Sequence, residues 1–229
     1  LFVNKKTSVD YEIKKNSLNY SSENNKNTYY GRMDFKPFYL NSSFNYDGLS
    51  FKNILKQDSI VIDIIKSEIF NNKNLNANLN LNVKDIINFA ELNNLALKIS
   101  VLEGDLSLSD STILWKNDVK IKLNESIFIY GDDGINLIGK IILDFKNLDN
   151  FYKSFQINKN NRKKISSLEF DFIYNLSQKK ITLDNIKIDN ANNQGLDKFI
   201  NNFNNSRKSI FNKITFKNFI SNFFDAYAG

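Results

Sequence analysis

The chain has 229 residues, 41% of them hydrophobic, and a formal charge of +6, which is enough apolar material for a folded domain with its own core. It contains no cysteine and no histidine, which excludes disulfides, zinc–thiolate sites, cysteine nucleophiles and every histidine-dependent triad or metal site. Acidic residues (25) nearly balance basic ones (31), and the longest basic run is Arg162-Lys163-Lys164, so we expect no nucleic acid partner.

The N-terminal 50 residues predict a strand, a loop and a strand pair. Residues 1–27 are expected to hold one strand and a polar loop, because residues 16–28 are rich in Asn and Ser. The segments Tyr30–Tyr39 and Leu40–Leu49 then predict two paired strands, in which Pro37 favours an edge strand or a bulge. Residues 51–70 have apolar side chains at helical spacing and predict one or two amphipathic helices.

The clearest pattern is a strict alternation of apolar residues and asparagines from Leu75 to Val83. Side chains alternate across a strand, so the odd-numbered residues should face one side and the asparagines the other. Similar runs follow as far as Ile188, separated by turn signals such as Gly131–Gly134. Because strands joined by short turns pair antiparallel, the pattern predicts a mainly β protein, an extended twisted antiparallel sheet of about eight to ten strands.

Two later segments again have helical spacing. Residues 147–157 predict a short helix inserted in the sheet, and the Phe-rich residues 196–227 predict a helical C-terminal segment. That segment should cover an end or the open mouth of the sheet, because an uncovered end exposes unpaired backbone groups. The expected organisation is therefore residues 1–27 (strand and loop), 28–190 (β domain with helices near 51–70 and 147–157) and 191–229 (helical cap).

Candidate catalytic groups are few. Asp132 and Asp133 could act as paired carboxylates, but they lie between two glycines, where a turn accounts for them. The sequence has no Gly-rich phosphate loop of the form GxxxxGKS/T. No window reaches the roughly 18 uncharged apolar residues that a bilayer-spanning helix needs. We therefore expect a protein that is not an enzyme, with no catalytic residue, no metal site and no cofactor.

The strand rhythm between residues 75 and 155 resembles the AsmA family of bacterial envelope proteins. The segments 103–108 (Glu-Gly-Asp-Leu-Ser-Leu) and 138–144 (Ile-Gly-Lys-Ile-Ile-Leu-Asp) stand where that family has a Gly-x-Leu-x-Leu strand and a closing strand that ends in Leu-Asp. Residues 29–55 resemble the strand pair that precedes them, and the resemblance covers residues 28–190. Where the family has Gly and Ala, this chain often has Asn and Lys.

The resemblance implies a sheet curved into a groove (β-taco-like) whose apolar concave face handles phospholipid acyl chains between membranes or serves in outer-membrane assembly. It also implies the periplasm of a Gram-negative bacterium and a tether to the inner membrane. The chain begins with Leu1 rather than Met, so we expect a fragment or a processed product whose membrane anchor lies upstream. The residues expected to line the groove are Leu97, Ile99, Leu106, Leu108, Ile121, Leu123, Ile141 and Leu143.

A second hypothesis fits the same alternation. A structural β-sandwich or solenoid module, serving as a surface or interaction domain, would also place apolar residues on one face of each strand, but against a closed core. The two hypotheses differ in whether the apolar face is open to lipid or packed by a second sheet. The oligomeric state stays open at this point.

Overall fold

The computed structural model describes residues 8–24, 26–50, 60–87, 89–206 and 213–228. The chain falls into two compact units, Leu1–Ile113 and Leu114–Gly229, which we call unit 1 and unit 2. Each is built on mostly antiparallel strands, and the chain ends in a helical segment. The predicted fold class, mainly β and antiparallel with few helices, is confirmed.

Unit 1 is a sheet whose strands follow one another in chain order. Strand β8 (Ser111–Trp115) contains the boundary between the units and pairs with β6. The other elements of unit 1 are β1 (Asp10–Lys14), β2 (Ser17–Asn24), β3 (Asn27–Phe35), β4 (Phe38–Leu49), helix α1 (Ile60–Lys66), a 3₁₀ turn (Ile69–Asn71), β5 (Asn76–Ile86), β6 (Leu92–Leu102) and β7 (Asp105–Ser107).

The pairing of β4 with β5 departs from the antiparallel prediction. These strands run parallel, with Tyr39 opposite Asn76 and Leu49 opposite Ile86. A parallel pair needs a long crossover, and the chain between β4 and β5, which includes α1, supplies one. Helix α1 confirms the later part of the helix prediction for residues 51–70, whereas residues 51–59 lie outside the described residues.

The prediction of a loop over residues 16–28 was wrong. Most of that segment is β2, which pairs with β1 through Leu18 opposite Ile13 and with β3 through Tyr20 opposite Gly31. Its Ser and Asn residues suggested a loop because such residues favour turns. Pairing on both sides satisfies the backbone of β2, and this outweighs the polar composition.

Pro37 lies in a hairpin turn, not in an edge strand or a bulge. Strands β3 and β4 pair throughout their length from Phe35 opposite Phe38 to Asn27 opposite Tyr46. Proline has no backbone N–H to donate to a strand ladder, and in the turn between β3 and β4 none is required. The predicted strand pair therefore exists, but its turn lies at residues 36–37 rather than between Tyr39 and Leu40.

Unit 2 combines a second set of strands with three helices. Gly131 pairs with Gly134, which confirms the predicted hairpin turn at Asp132-Asp133. The helices predicted near residues 147–157 and 196–227 are also present. The elements are β9 (Val119–Gly131), β10 (Gly134–Phe145), α2 (Leu148–Phe155), a 3₁₀ turn (Lys159–Asn161), β11 (Ser167–Asn175), β12 (Lys180–Ile188), β13 (Ala191–Asn192), a 3₁₀ turn (Gln194–Leu196), α3 (Asp197–Asn205) and α4 (Lys213–Ala228).

Local sequence explains where α2 begins and ends. The side chain of Asn147 accepts a hydrogen bond from the backbone N–H of Asn150 at 3.1 Å, which caps the first turn. Gln156 adopts a left-handed conformation with φ of 56° and terminates the helix. Between these residues, Phe151, Tyr152 and Phe155 recur at helical spacing, and all three are buried against the sheet.

The outer edge of β12 is closed by the chain itself. Strand β13 pairs with its end, with Ala191 opposite Ile188. Farther along, the side-chain amide of Asn204 in α3 donates to the carbonyl oxygen of Leu183 and accepts from its N–H, both at 2.9 Å. The amide therefore takes the place that a neighbouring strand would occupy, which is one way in which a sheet edge is protected from association.

We expect Asn204→Leu to lower the free energy of unfolding by about 1–3 kcal/mol, because it leaves both polar groups of Leu183 without their partner. Asn202→Leu, on the exposed side of the same helix, is the matched control and should have little effect. Urea unfolding followed by circular dichroism gives both values. Equal destabilisation by the two substitutions would contradict the edge-closing role of Asn204.

Candidate functional site

One face of the unit 1 sheet carries mostly apolar side chains that lie in register across five to seven strands. Residues directly opposite each other on paired strands share a face. We call the face defined by these residues the unit 1 apolar face. It consists of three rows: Ile13, Leu18, Met33, Leu40, Ala77, Val101 and Leu106; then Tyr11, Tyr20, Gly31, Ser42, Leu79 and Ile99; then Ser22, Tyr29, Phe44, Leu81 and Leu97.

Burial of this face is uneven. Ala77, Val101 and Leu106 are buried, whereas the neighbouring positions in the second and third rows are only half-buried: Leu79, Leu81, Leu97 and Ile99. Among the described residues, the continuous cluster of buried apolar side chains belongs to unit 2. The elements described in unit 1 therefore leave part of its apolar face accessible.

A glycine allows an aromatic ring to lie within this face. A Cβ atom at Gly31 would come within 2.5 Å of the Tyr20 hydroxyl oxygen and 2.7 Å of Ser42 Oγ. Those two hydroxyls lie 2.5 Å apart and share a hydrogen bond, and Ser42 is buried. The hydroxyl groups of Tyr20 and Ser42 therefore satisfy each other's hydrogen-bonding requirement, and a hydrocarbon ligand on this face would leave neither of them without a partner.

The asparagines of the alternating run lie on the opposite face, as predicted. The side-chain amide of Asn82 donates to Asn45 at 2.9 Å, and that of Asn45 donates to Thr28 at 3.0 Å. Asn78 donates to the Tyr39 hydroxyl at 2.7 Å. These bonds join β3, β4 and β5 on the polar side of the sheet, so the amides have a structural role there.

Of the eight predicted groove residues, four lie in unit 1. Leu97 and Ile99 are half-buried on the unit 1 apolar face, opposite Leu81 and Leu79. Leu106 belongs to the first row, opposite Val101, and is buried. Leu108 follows the end of β7 and is half-buried.

The other four predicted residues lie in the core of unit 2. Ile121 lies opposite Leu143 and Leu123 opposite Ile141, so all four share one face of the β9–β10 pair. Leu143 is buried, and the other three pack against the same hydrophobic cluster. That cluster continues onto β11, where Phe170 lies opposite Ile141.

Three helices cover this face of unit 2. Phe219 of α4 contacts Phe170 of the sheet, with ring centroids 6.2 Å apart, and Phe203 of α3 at 5.0 Å. Tyr152 of α2 contacts Phe224 of α4 at 5.0 Å. The C-terminal helices therefore cover a face of the sheet, and α3 also closes its edge. The core of unit 2 is closed by helices rather than by a second sheet.

Tyr152 is the buried polar group at the centre of this helical cover. Its hydroxyl donates to the backbone carbonyl of Lys163, and the Arg162 guanidinium lies over its ring at 5.8 Å. Burial raises the pKa of Tyr152 to about 12, so the hydroxyl stays protonated and remains a donor at neutral pH. The Tyr152 hydroxyl therefore has a structural role, which is to hold α2 against the segment that contains Lys163.

The acidic residues do not converge on a reactive centre. The described part of the chain has no group of three or more Asp or Glu residues that could hold a metal ion. Its charged residues form cross-strand ion pairs instead, for example Lys122 with Asp144 at 2.5 Å and Lys187 with Glu169 at 2.9 Å. Within the same residues, we find no helix with the length and apolarity required to cross a membrane.

Comparison with known proteins adds no relative. No protein-family model matches the sequence, and no curated protein or solved structure matches it either. The resemblance to the AsmA family therefore stays a prediction from the strand rhythm.

The sequence analysis missed the contribution of β2, β3 and β4 to the apolar face. Leu18, Tyr20, Tyr29, Met33 and Phe44 belong to it, yet none was expected to line a binding surface. A signal was present in the alternation of Leu40, Ser42, Phe44 and Tyr46 along β4. The small polar residues between the apolar ones concealed it.

Proposed function

We propose that this chain is a non-enzymatic, lipid-handling protein of the cell envelope, of AsmA type, and that the unit 1 apolar face binds phospholipid acyl chains. One observation carries the proposal. The apolar side chains in the second and third rows of the unit 1 apolar face are half-buried or exposed, whereas the corresponding face of unit 2 carries a buried apolar cluster that three helices cover. An accessible apolar surface of this kind is typical of a binding site.

The chemistry of the face suits a hydrocarbon ligand. The three rows contain no charged residue, and the hydroxyls of Tyr20 and Ser42 bond to each other. Each methylene group that a chain buries there contributes roughly 0.8 kcal/mol, so binding requires no polar recognition along the chain. Met33 and the half-buried leucines can adopt several rotamers, which helps a surface to accommodate chains of different shape.

The proposal assigns different roles to the predicted groove residues. Leu97 and Ile99 would contact the ligand, whereas Ile121 and Ile141 would support the core of unit 2. The periplasmic location and the inner-membrane tether belong to the same proposal and rest on the family resemblance alone.

The decisive experiment places charge at the centre of the face. Leu81 and Leu97 lie opposite each other, so Leu81→Asp with Leu97→Asp should exclude acyl chains, because a carboxylate is costly to bury in hydrocarbon. We expect native mass spectrometry after gentle extraction to show phospholipid bound to the wild-type chain. The double variant should lose at least about nine-tenths of it, a tenfold change in occupancy that corresponds to about 1.4 kcal/mol.

Asn78→Asp, on the polar face of the same strand β5, is the control and should keep the lipid. Circular dichroism must show that the double variant is still folded. If the wild-type chain carries no phospholipid, or if the folded double variant carries as much as wild type, the proposal fails.

The structural-module hypothesis remains the second candidate because unit 2 has the closed core that it requires. The same double variant separates the two. A lipid-free wild-type protein whose unit 1 unfolds when Leu81 and Leu97 are replaced by Asp would support the structural module.

A further inference from the structure

Among the described residues, strand β1 is the edge of the unit 1 sheet. It pairs with β2 along its whole length, from Asp10 opposite Ser21 to Lys14 opposite Ser17. No strand among the described residues pairs with its other side. All five of its residues are exposed, and the fraction reaches 71% for Tyr11 and 68% for Ile13. The strand therefore presents unpaired backbone groups beside two exposed apolar side chains.

Strand β1 lacks two of the usual protections of an edge strand, a proline and a bulge in its register with β2. Its charges, Asp10, Glu12 and Lys14, are the protection that it does have, and they restrict which strand it can pair with. Its apolar residues Tyr11 and Ile13 continue two rows of the unit 1 apolar face. Strand β12 of unit 2, by contrast, is closed by β13 and by the amide of Asn204. An association of β1 with β12 of another copy would have to displace those groups.

Of the two ends of the described strand order, the one that remains for pairing with a second copy is β1 itself. Two identical edges pair antiparallel about a twofold axis, which gives a closed dimer rather than a filament. In such a dimer, a residue of one copy and the residue opposite it in the other copy must lie on the same face of the joined sheet. Side chains alternate along a strand, so this requires the two residue numbers to add to an even total. This condition leaves registers centred on Tyr11, Glu12 or Ile13.

Charge distinguishes the three registers. Centring on Tyr11 places Asp10 opposite the second copy's Glu12. Centring on Glu12 places Asp10 opposite Lys14 of the second copy twice, but it also places the two Glu12 carboxylates together. Centring on Ile13 places Glu12 opposite Lys14 of the second copy twice, with the two Ile13 side chains in contact. Opposite charges stabilise a cross-strand pair and like charges destabilise it, so the third register is favoured.

The charged groups of β1 already interact on the polar face of the strand. Lys14 Nζ lies 3.2 Å from Glu12 Oε2 within the strand, and Asn19 also donates to that carboxylate at 3.3 Å. In the register centred on Ile13, the four charged groups of two copies alternate in sign on the polar face. Tyr11 and Ile13 of both copies then extend the unit 1 apolar face across the twofold axis.

We propose that β1 pairs antiparallel with β1 of a second copy, centred on Ile13, to form a twofold dimer. The interface is a single strand pair, so the dimer is weak and depends on concentration. This inference concerns association alone and does not depend on the proposed lipid function.

Analytical ultracentrifugation of the full chain over a range of concentrations tests the proposal. Wild type should show a monomer–dimer equilibrium. Glu12→Lys and Lys14→Glu each replace two attractive pairs by two repulsive ones, so each should raise the dimer Kd by about tenfold or more. Asp47→Lys makes the same charge change as Glu12→Lys on an exposed residue of the interior strand β4, and it should leave the dimer Kd unchanged.

Mixing the two single variants is the sharpest test. In the mixed pair, the new lysine at position 12 of one chain faces the new glutamate at position 14 of the other, and the native Lys14 faces the native Glu12. A heterodimer should therefore form more tightly than the homodimer of either variant. Tagging one variant and measuring co-sedimentation detects it. A wild type that stays monomeric at every concentration, or a mixture that gives no heterodimer, overturns the proposal.

Discussion

Replacing Ile121 and Ile141 by Asp is expected to unfold unit 2. Ile121 lies opposite the buried Leu143, and Ile141 lies opposite Phe170, beneath the three helices. Both side chains are partly buried and pack against the core. An uncompensated charge costs about 3–5 kcal/mol when it is fully buried, so two charges at the margin of the core still remove a large share of the stability of a typical domain. Near-ultraviolet circular dichroism should lose the signal of the packed aromatic rings.

The control for this variant lies on the same strand. Ile127 and Ile129 of β9 face the other side and are 37% and 43% exposed, so Ile127→Asp with Ile129→Asp should leave the fold intact. If the core variant instead kept the unfolding free energy of wild type, the described closure of unit 2 by its helices would be wrong.

Among the glycines of the described residues, Gly139 is the one at which a Cβ atom would meet a backbone atom most closely, so Gly139→Ala should be strongly destabilising. Two residues of β9, Glu125 and Ser126, lie opposite Gly139 at a shift in register, and Glu125 has φ of 47°. A Cβ at Gly139 would lie 2.3 Å from Ser126 Oγ and 2.7 Å from its Cα. Because a backbone atom is in the way, the strands must separate, at a cost of about 3 kcal/mol.

Gly131→Ala in the same hairpin is the matched control. Its nearest atom would be the exposed Asp133 carboxylate oxygen at 3.3 Å, which can move away. Urea unfolding of both variants measures the difference in the free energy of unfolding. Similar values for Gly131→Ala and Gly139→Ala would show that the bulge has no special requirement for glycine.

The strands that could be predicted are those with one strongly apolar face. The run from Leu75 to Val83 became β5, and Leu168 to Tyr174 became most of β11, because alternation by itself distinguishes a strand from a helix. Strand β2 was missed because Ser22 and Asn24 occupy positions that an apolar residue would have marked. The parallel partner of β4 could not be predicted, since local periodicity does not encode which distant strand pairs with which.

Only part of the candidate site could be predicted, because local periodicity does not show what packs on a strand in the folded protein. Ile99 and Ile121 have the same sequence environment, an apolar residue between polar neighbours in a strand. What separates them is whether helices pack above, and that depends on tertiary structure. The aromatic spacing of residues 196–227 predicted helices that cover an end or the open mouth of the sheet, whereas they pack on a face of unit 2, with α3 at the edge of β12.

The parallel pairing of β4 with β5 has a consequence for how unit 1 folds. Strands β1 to β4 form a chain of hairpins, and so do β5 to β7, so each group can form through contacts between neighbours in sequence. Joining them requires Tyr39 to meet Asn76 across the intervening chain. Closing a long loop loses entropy before any contact repays it, so this step should limit the folding rate. Until it occurs, β4 and β5 are two additional unpaired edges, and the unfinished molecule is most prone to misassociation at that stage.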